Sequence, residues 1–106
     1  MLKVVIRMVK PGQEQRLRDW LSELMQRKDE VRETFRQETV RHEQGYLLPI
    51  HHGIALIYVV EAQDLEQASR AFKNSNLPLD AEHKNVMQHV LGDRVPAELV
   101  YDCTLE

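Results

Sequence analysis

Ile54-Ala55-Leu56-Ile57-Tyr58-Val59-Val60-Glu61 is the clearest strand in the chain and the stretch on which the fold turns. Its side chains are apolar on both alternations until Glu61. Neither face of such a strand suits water, so the sheet that contains it must be covered twice. Helices of the same chain can supply one cover. A second copy of the chain is the economical source of the other.

Upstream, Leu2, Val4, Ile6 and Met8 alternate with Lys3, Val5, Arg7 and Val9, the period-two pattern of a first strand. Lys10-Pro11-Gly12 stops it, because proline lacks the ladder N–H and glycine permits a turn. From Gln13 the period changes. Leu17, Trp20, Leu21, Leu24, Val31 and Phe35 recur at helical steps, predicting one long amphipathic helix to Arg36. Glu38 to Ile50 reads as the second strand, and His51-His52-Gly53 as the turn into the third.

Downstream of Glu61, Asp64 is positioned to cap a second helix carrying Leu65, Ala68, Ala71 and Phe72. Asn74-Ser75-Asn76-Leu77-Pro78 interrupts that helix. Asp80 opens a further segment with Val86, Met87, Val90 and Leu91 inward, and Gly92 ends it. Leu99 to Leu105 is expected to form a last strand. The order is β-α-β-β-α-β with the second helix broken in two. That order predicts an α+β, ferredoxin-like sandwich, a single domain over residues 1–106, pairing through its bare sheet face as a dimeric α+β barrel.

With 42% hydrophobic and 29% charged residues, the chain has the balance of a soluble globular domain rather than a disordered one. A net charge of -3 argues against a nucleic-acid partner, since phosphate binding calls for a basic patch. No apolar stretch approaches the roughly 20 residues that cross a bilayer, which argues against a membrane role. Met1-Leu2-Lys3-Val4-Val5-Ile6-Arg7 mixes charges into its apolar run instead of building a signal-peptide core, so a cytoplasmic location is expected. Cys103 is the sole cysteine. It allows no internal disulfide and reads as a small buried thiol of the last strand.

Chemistry concentrates in Leu77-Pro78-Leu79-Asp80-Ala81-Glu82-His83-Lys84. Asp80 can accept a backbone N–H at a helix N-terminus, and His83 follows on the same face one turn later. The pair reads either as a carboxylate orienting a pocket imidazole or as a plain helix cap with a partly exposed histidine. Glu43 and His42 point to opposite faces of the second strand. An inward Glu43 needs a partner such as His83, Tyr58 or an arginine; an outward one would sit in a cross-strand ion pair. Tyr58 either offers its hydroxyl to a ligand or fills the core. His51-His52 and His89 lack zinc-type spacing, so no metal site is predicted. There is no phosphate loop, nucleophile elbow or thiol-enzyme signature, and no cofactor is implied.

Lys10-Pro11-Gly12, Trp20, Glu43, Tyr58 and Pro78-Leu79-Asp80 with His83 together resemble a family of small uncharacterised, mainly bacterial proteins with the dimeric α+β barrel fold. The resemblance spans nearly the whole chain, and its most specific part is the P-[IL]-D-x-x-H element. It implies a fold and a dimer rather than a reaction. Wider relatives of that fold include cofactor-independent oxygenases, small dehydratases and ligand-binding modules, and carrying one of those reactions over would be fold analogy alone. Leu48-Pro49-Ile50-His51-His52-Gly53 departs from the charged turn the resemblance implies.

The reading is therefore a homodimeric module holding a small organic ligand between sheet and helices, with His83, Asp80, Glu43 and Tyr58 at the pocket. Its alternatives are a cofactor-independent enzyme of oxygenase or isomerase type using His83 as acid or base, and a purely structural dimer.

Overall fold

The alternation over the first residues becomes β1 (Leu2–Val9), and the computed structural model, which describes residues 1–106, continues it into two helices, α1 (Glu14–Gln26) and α2 (Lys28–Glu38). A hairpin follows, β2 (Val40–Ile50) and β3 (Gly53–Ala62). Then come α3 (Leu65–Lys73), α4 (Pro78–Val90) and a short β4 (Leu91–Val95). Gly12 makes the first turn possible, since its φ of +79° lies in the left-handed region that side chains avoid.

The strands form one antiparallel sheet in the order β2-β3-β1-β4, so the fold class is α+β. The doubly apolar strand β3 lies inside it, with Tyr58 opposite Val5 on one side and Gly45 on the other. Val9, Leu56 and Leu91 meet Leu17 and Val90 in the main core, while Val40, Ala62 and Ala68 form a smaller cluster. Burying each large aliphatic side chain contributes roughly 1.5–3 kcal/mol. The other sheet face is bare in the single chain: Val4, Tyr46 and Leu48 are 50%, 51% and 46% exposed.

Several sequence expectations need correction. The long first helix is two, broken at Arg27, whose φ of -115° and ψ of 43° leave the helical region. Arg27 ties the corner together, its guanidinium meeting Glu23, Glu30 and Glu82 at 2.8, 2.7 and 2.6 Å. Glu38 is the last residue of α2 rather than the first of a strand; Thr39 then reverses the chain at a φ of 57°.

At the other end of the chain, α4 starts at Pro78, a favourable first position because its missing N–H would be unpaired anyway. Asp80 is thus inside the first turn and caps nothing with its side chain. Gly92 does not end the helix. It lies in β4, where its carbonyl accepts from the Arg7 guanidinium at 2.9 and 2.7 Å. The expected strand at Leu99–Leu105 is absent. Residues 91–95 already occupy the free edge of β1, and Pro96, lacking an N–H, stops the ladder. Leu99, Val100 and Tyr101 are consequently about four-fifths exposed, and Cys103 is an exposed free thiol rather than a buried one.

Candidate functional site

Between the sheet and the helices lies a cavity of about 630 Å³ whose wall includes all four residues singled out from sequence: Glu43, Tyr58, Asp80 and His83. Strand alternation carries Glu43 and Tyr58 to it from β2 and β3, and the first turn and a half of α4 brings Asp80 and His83 down from above. Glu43 therefore points inward, not outward. Phe35, Val60, Leu65, Phe72 and Met87 give the cavity an apolar body.

Asp80 is 2% exposed, and its partner comes from α2. Thr34 Oγ1 stands 2.7 and 2.6 Å from the two Asp80 oxygens and 2.5 Å from Glu38 Oε2. One hydroxyl hydrogen cannot serve two carboxylates, so the second contact requires a proton on one acid. Glu38 is the group to hold it: burial, with the Asp80 charge beside it, pushes its pKa up against the Thr34 hydrogen bond. The cluster then runs from Glu38 O–H to Thr34 and from Thr34 O–H to Asp80.

His83 is held by Trp20, whose indole N–H donates to Nδ1 at 2.9 Å. An indole nitrogen can only donate, so Nδ1 must present its lone pair and the ring hydrogen sits on Nε2. Protonation would set a second hydrogen against the indole. Burial also disfavours the imidazolium, and although Asp80 pulls the other way, the pKa is pushed down to about 4. The ring stands edge-on to Phe72 and Tyr58, with centroids 5.8 and 6.3 Å away.

Glu43 has neither hydrogen-bond nor ion-pair partner. Its burial, with Glu38 and Asp80 nearby, pushes its carboxyl up to about 7. The Tyr58 hydroxyl is buried without a partner as well. Burial and the Glu43 charge raise the phenol well above its ordinary value, so it stays protonated. The Tyr58 ring lies across Gly45, where an added Cβ would come 3.6 Å from Cε1. Lys84 also reaches the wall, with Nζ 3.2 Å from the Lys73 carbonyl and 4.9 Å from the Phe72 ring centre.

Sequence reasoning missed Thr34, Glu38 and the bond from Trp20. The i, i+4 spacing of Thr34 and Glu38 was a signal for the first two; nothing local pointed to the third, which joins residues 63 positions apart. His51 and His52 meet edge to face in the exposed turn, and His89 bonds its own helix at the Asn85 carbonyl. None of the three reaches the cavity, and no group of three potential ligands is arranged to hold a metal ion.

The chain belongs to DUF6176, a family of unknown function, which it matches over residues 3–105. No curated protein and no solved structure matches it.

Proposed function

We propose that the chain is a homodimeric small-molecule-binding module whose ligand sits in the cavity between sheet and helices. The observation that carries this reading is the Tyr58 hydroxyl. Leaving a buried hydroxyl unpaired costs about 1–3 kcal/mol, and phenylalanine would fill the same space without that cost. A bound polar atom would remove the penalty, and Tyr58 is one of the residues that line the cavity. His83 Nε2–H and Glu43 supply further polar groups at the same wall, and the apolar residues opposite suit an organic body.

The strand order β2-β3-β1-β4 supports a ferredoxin-like reading of the α+β fold, and a dimeric α+β barrel would cover what the single chain leaves bare. Val4, Tyr46 and Leu48 on the sheet, with Leu99, Val100 and Tyr101 beyond β4, are the surface a second copy would bury. The cytoplasm, which keeps the exposed Cys103 thiol reduced, is the location that goes with this reading.

Light scattering at micromolar concentration should give twice the chain mass; a stable monomer would sink the dimer. For the ligand, the sole tryptophan is a built-in reporter, because Trp20 bonds a wall residue. Titration with a metabolite panel should change Trp20 emission and raise the melting temperature. Tyr58→Phe should abolish both responses while remaining folded. A panel without effect on either readout would favour the purely structural dimer.

A further inference from the structure

We propose that the polar end of the cavity is an enolisation site, where Tyr58 O–H and His83 Nε2–H hold the oxygen of a small neutral carbonyl compound and Glu43 exchanges a proton with its α-carbon. The inference rests on the ligand-binding reading and names the ligand's class.

Two neutral donors are available at one wall. The Tyr58 hydroxyl has no partner within the protein, and with Nδ1 taken by Trp20 the only free hydrogen-bonding group of His83 is the Nε2 hydrogen. Their rings stand 6.3 Å apart, centre to centre. An oxygen accepting from both would be stabilised most when it carries negative charge, as the oxygen of an enolate does.

Glu43 fits the complementary role. Gly45 is opposite Tyr58 and Glu43 is opposite Val60, so Glu43 and Tyr58 are diagonal neighbours on the inward face of adjacent strands. Such neighbours are within reach of one small ligand. A carboxyl with no fixed partner, titrating near neutral pH, is populated in both states and can accept or return a proton. His83 cannot take that part, since its one lone pair is already used. Lys3, Arg7, Lys84 and Arg94 also line the cavity, but the charges acting on Glu43, Tyr58 and His83 are those of neighbouring acids, so the polar end favours a neutral ketone or aldehyde over a carboxylate.

In the step, the α-carbon C–H bond breaks and its proton passes to a Glu43 oxygen. The bond's electron pair becomes the C=C bond of the enolate, while the former C=O π pair moves onto the oxygen held by Tyr58 and His83. After the Glu43 proton has exchanged with solvent, its delivery to the same carbon gives exchange, and delivery to a conjugated carbon gives isomerisation. No electron is gained or lost overall, and no co-reactant is consumed.

The test uses the full chain in deuterated buffer near neutral pH with three probes, cyclopentanone, acetophenone and 2-tetralone. Proton NMR follows α-deuteration, and saturation-transfer NMR follows binding. At least one probe should exchange more than tenfold faster than in buffer alone. Glu43→Gln should return that rate to the buffer level while binding persists, and Tyr58→Phe should return it to the buffer level with binding lost. Probes that bind without exchange would overturn the enolisation and leave the ligand-binding reading intact. Failure of all three to bind or exchange would count against both, and exchange that survives Glu43→Gln would remove Glu43 from the step.

Discussion

The two ends of the helix–sheet interface are built differently. Where α1 and α4 cross the sheet, Leu17, Leu56 and Val90 are fully buried against one another. Where α2 and α3 cross it, Val40, Ala62 and Ala68 are the buried apolar residues, with Thr34, Glu38 and Asp80 beside them. Large aliphatic side chains close the first end. Small and acidic ones leave the second with a cavity and a cost: two carboxyls raised by burial and a phenol without a partner. Dry packing holds the fold at one end, and polar groups are kept available at the other. Trp20 joins the two, packed as core yet bonded to His83 at the cavity wall.

The strongest way to break this contrast is at the closed end. Leu17→Ala should destabilise the fold by about 2–5 kcal/mol in denaturant titration, because its site is closed on all sides. A loss under about 1 kcal/mol would mean that the closed end is no tighter than the open one.

Proton linkage should give an effect nearly as large at the open end. Glu43 titrates near 7 in the folded chain against an ordinary 4.5, so its contribution to stability is full below pH 4.5 and is lost as pH rises through 7. His83 titrates near 4 against an ordinary 6.5, so its contribution is full above pH 6.5 and is lost as pH falls toward 4. Each amounts to ~3 kcal/mol across its window, and between pH 4.5 and 6.5 the two nearly cancel. Glu38, raised by the same causes, adds to the trend of Glu43. Glu43→Gln should therefore unmask a rise in stability with pH over that range, by up to ~3 kcal/mol, as read from urea midpoints. A variant whose profile overlays that of the wild type would show that Glu43 titrates normally.

A smaller effect belongs to the join. Trp20→Phe keeps most of the packing but removes the donor to Nδ1, at a cost of about 1 kcal/mol for the hydrogen bond. With Nδ1 free and Asp80 one turn away, the His83 pKa should climb from about 4 toward its ordinary 6.5. An NMR titration of the imidazole reads the change directly, and an unmoved pKa would assign the depression to burial alone. The smallest change is expected from Ala68→Leu. Adding bulk to a filled core costs about 1–3 kcal/mol, but Ala68 borders the cavity and the variant should lose less than about 1. A larger loss would show that the space cannot take a side chain.

Hydrophobic period was enough to read most of the architecture from sequence. Residues 2–9 alternate, residues 54–60 are apolar throughout, Leu17 and Trp20 recur at helical spacing, and the break between α3 and α4 is written in Asn74 to Pro78. Glu43, Tyr58, Asp80 and His83 could be named from sequence, with the direction of Glu43 left open between inward and outward; the structure places all four at one cavity wall. Errors came where a local pattern competes with what is already packed. Residues 99–105 alternate like a strand, yet residues 91–95 hold the only free edge of β1, so the pattern has no ladder to join. Asp80 has the sequence of a cap, yet Pro78 starts the helix and Thr34, 46 positions away, takes the carboxylate.

The sequence by itself determined the first three strands, the helical stretches between and after them and the doubly apolar centre of the sheet, since these depend on spacing along the chain. Only the tertiary structure decided which atoms meet: the shared proton of Glu38, Thr34 and Asp80, the tautomer of His83 and the lack of a partner for the Tyr58 hydroxyl. Hydrogen-bond partners and burial are set by residues distant in sequence, and it is these contacts that govern protonation.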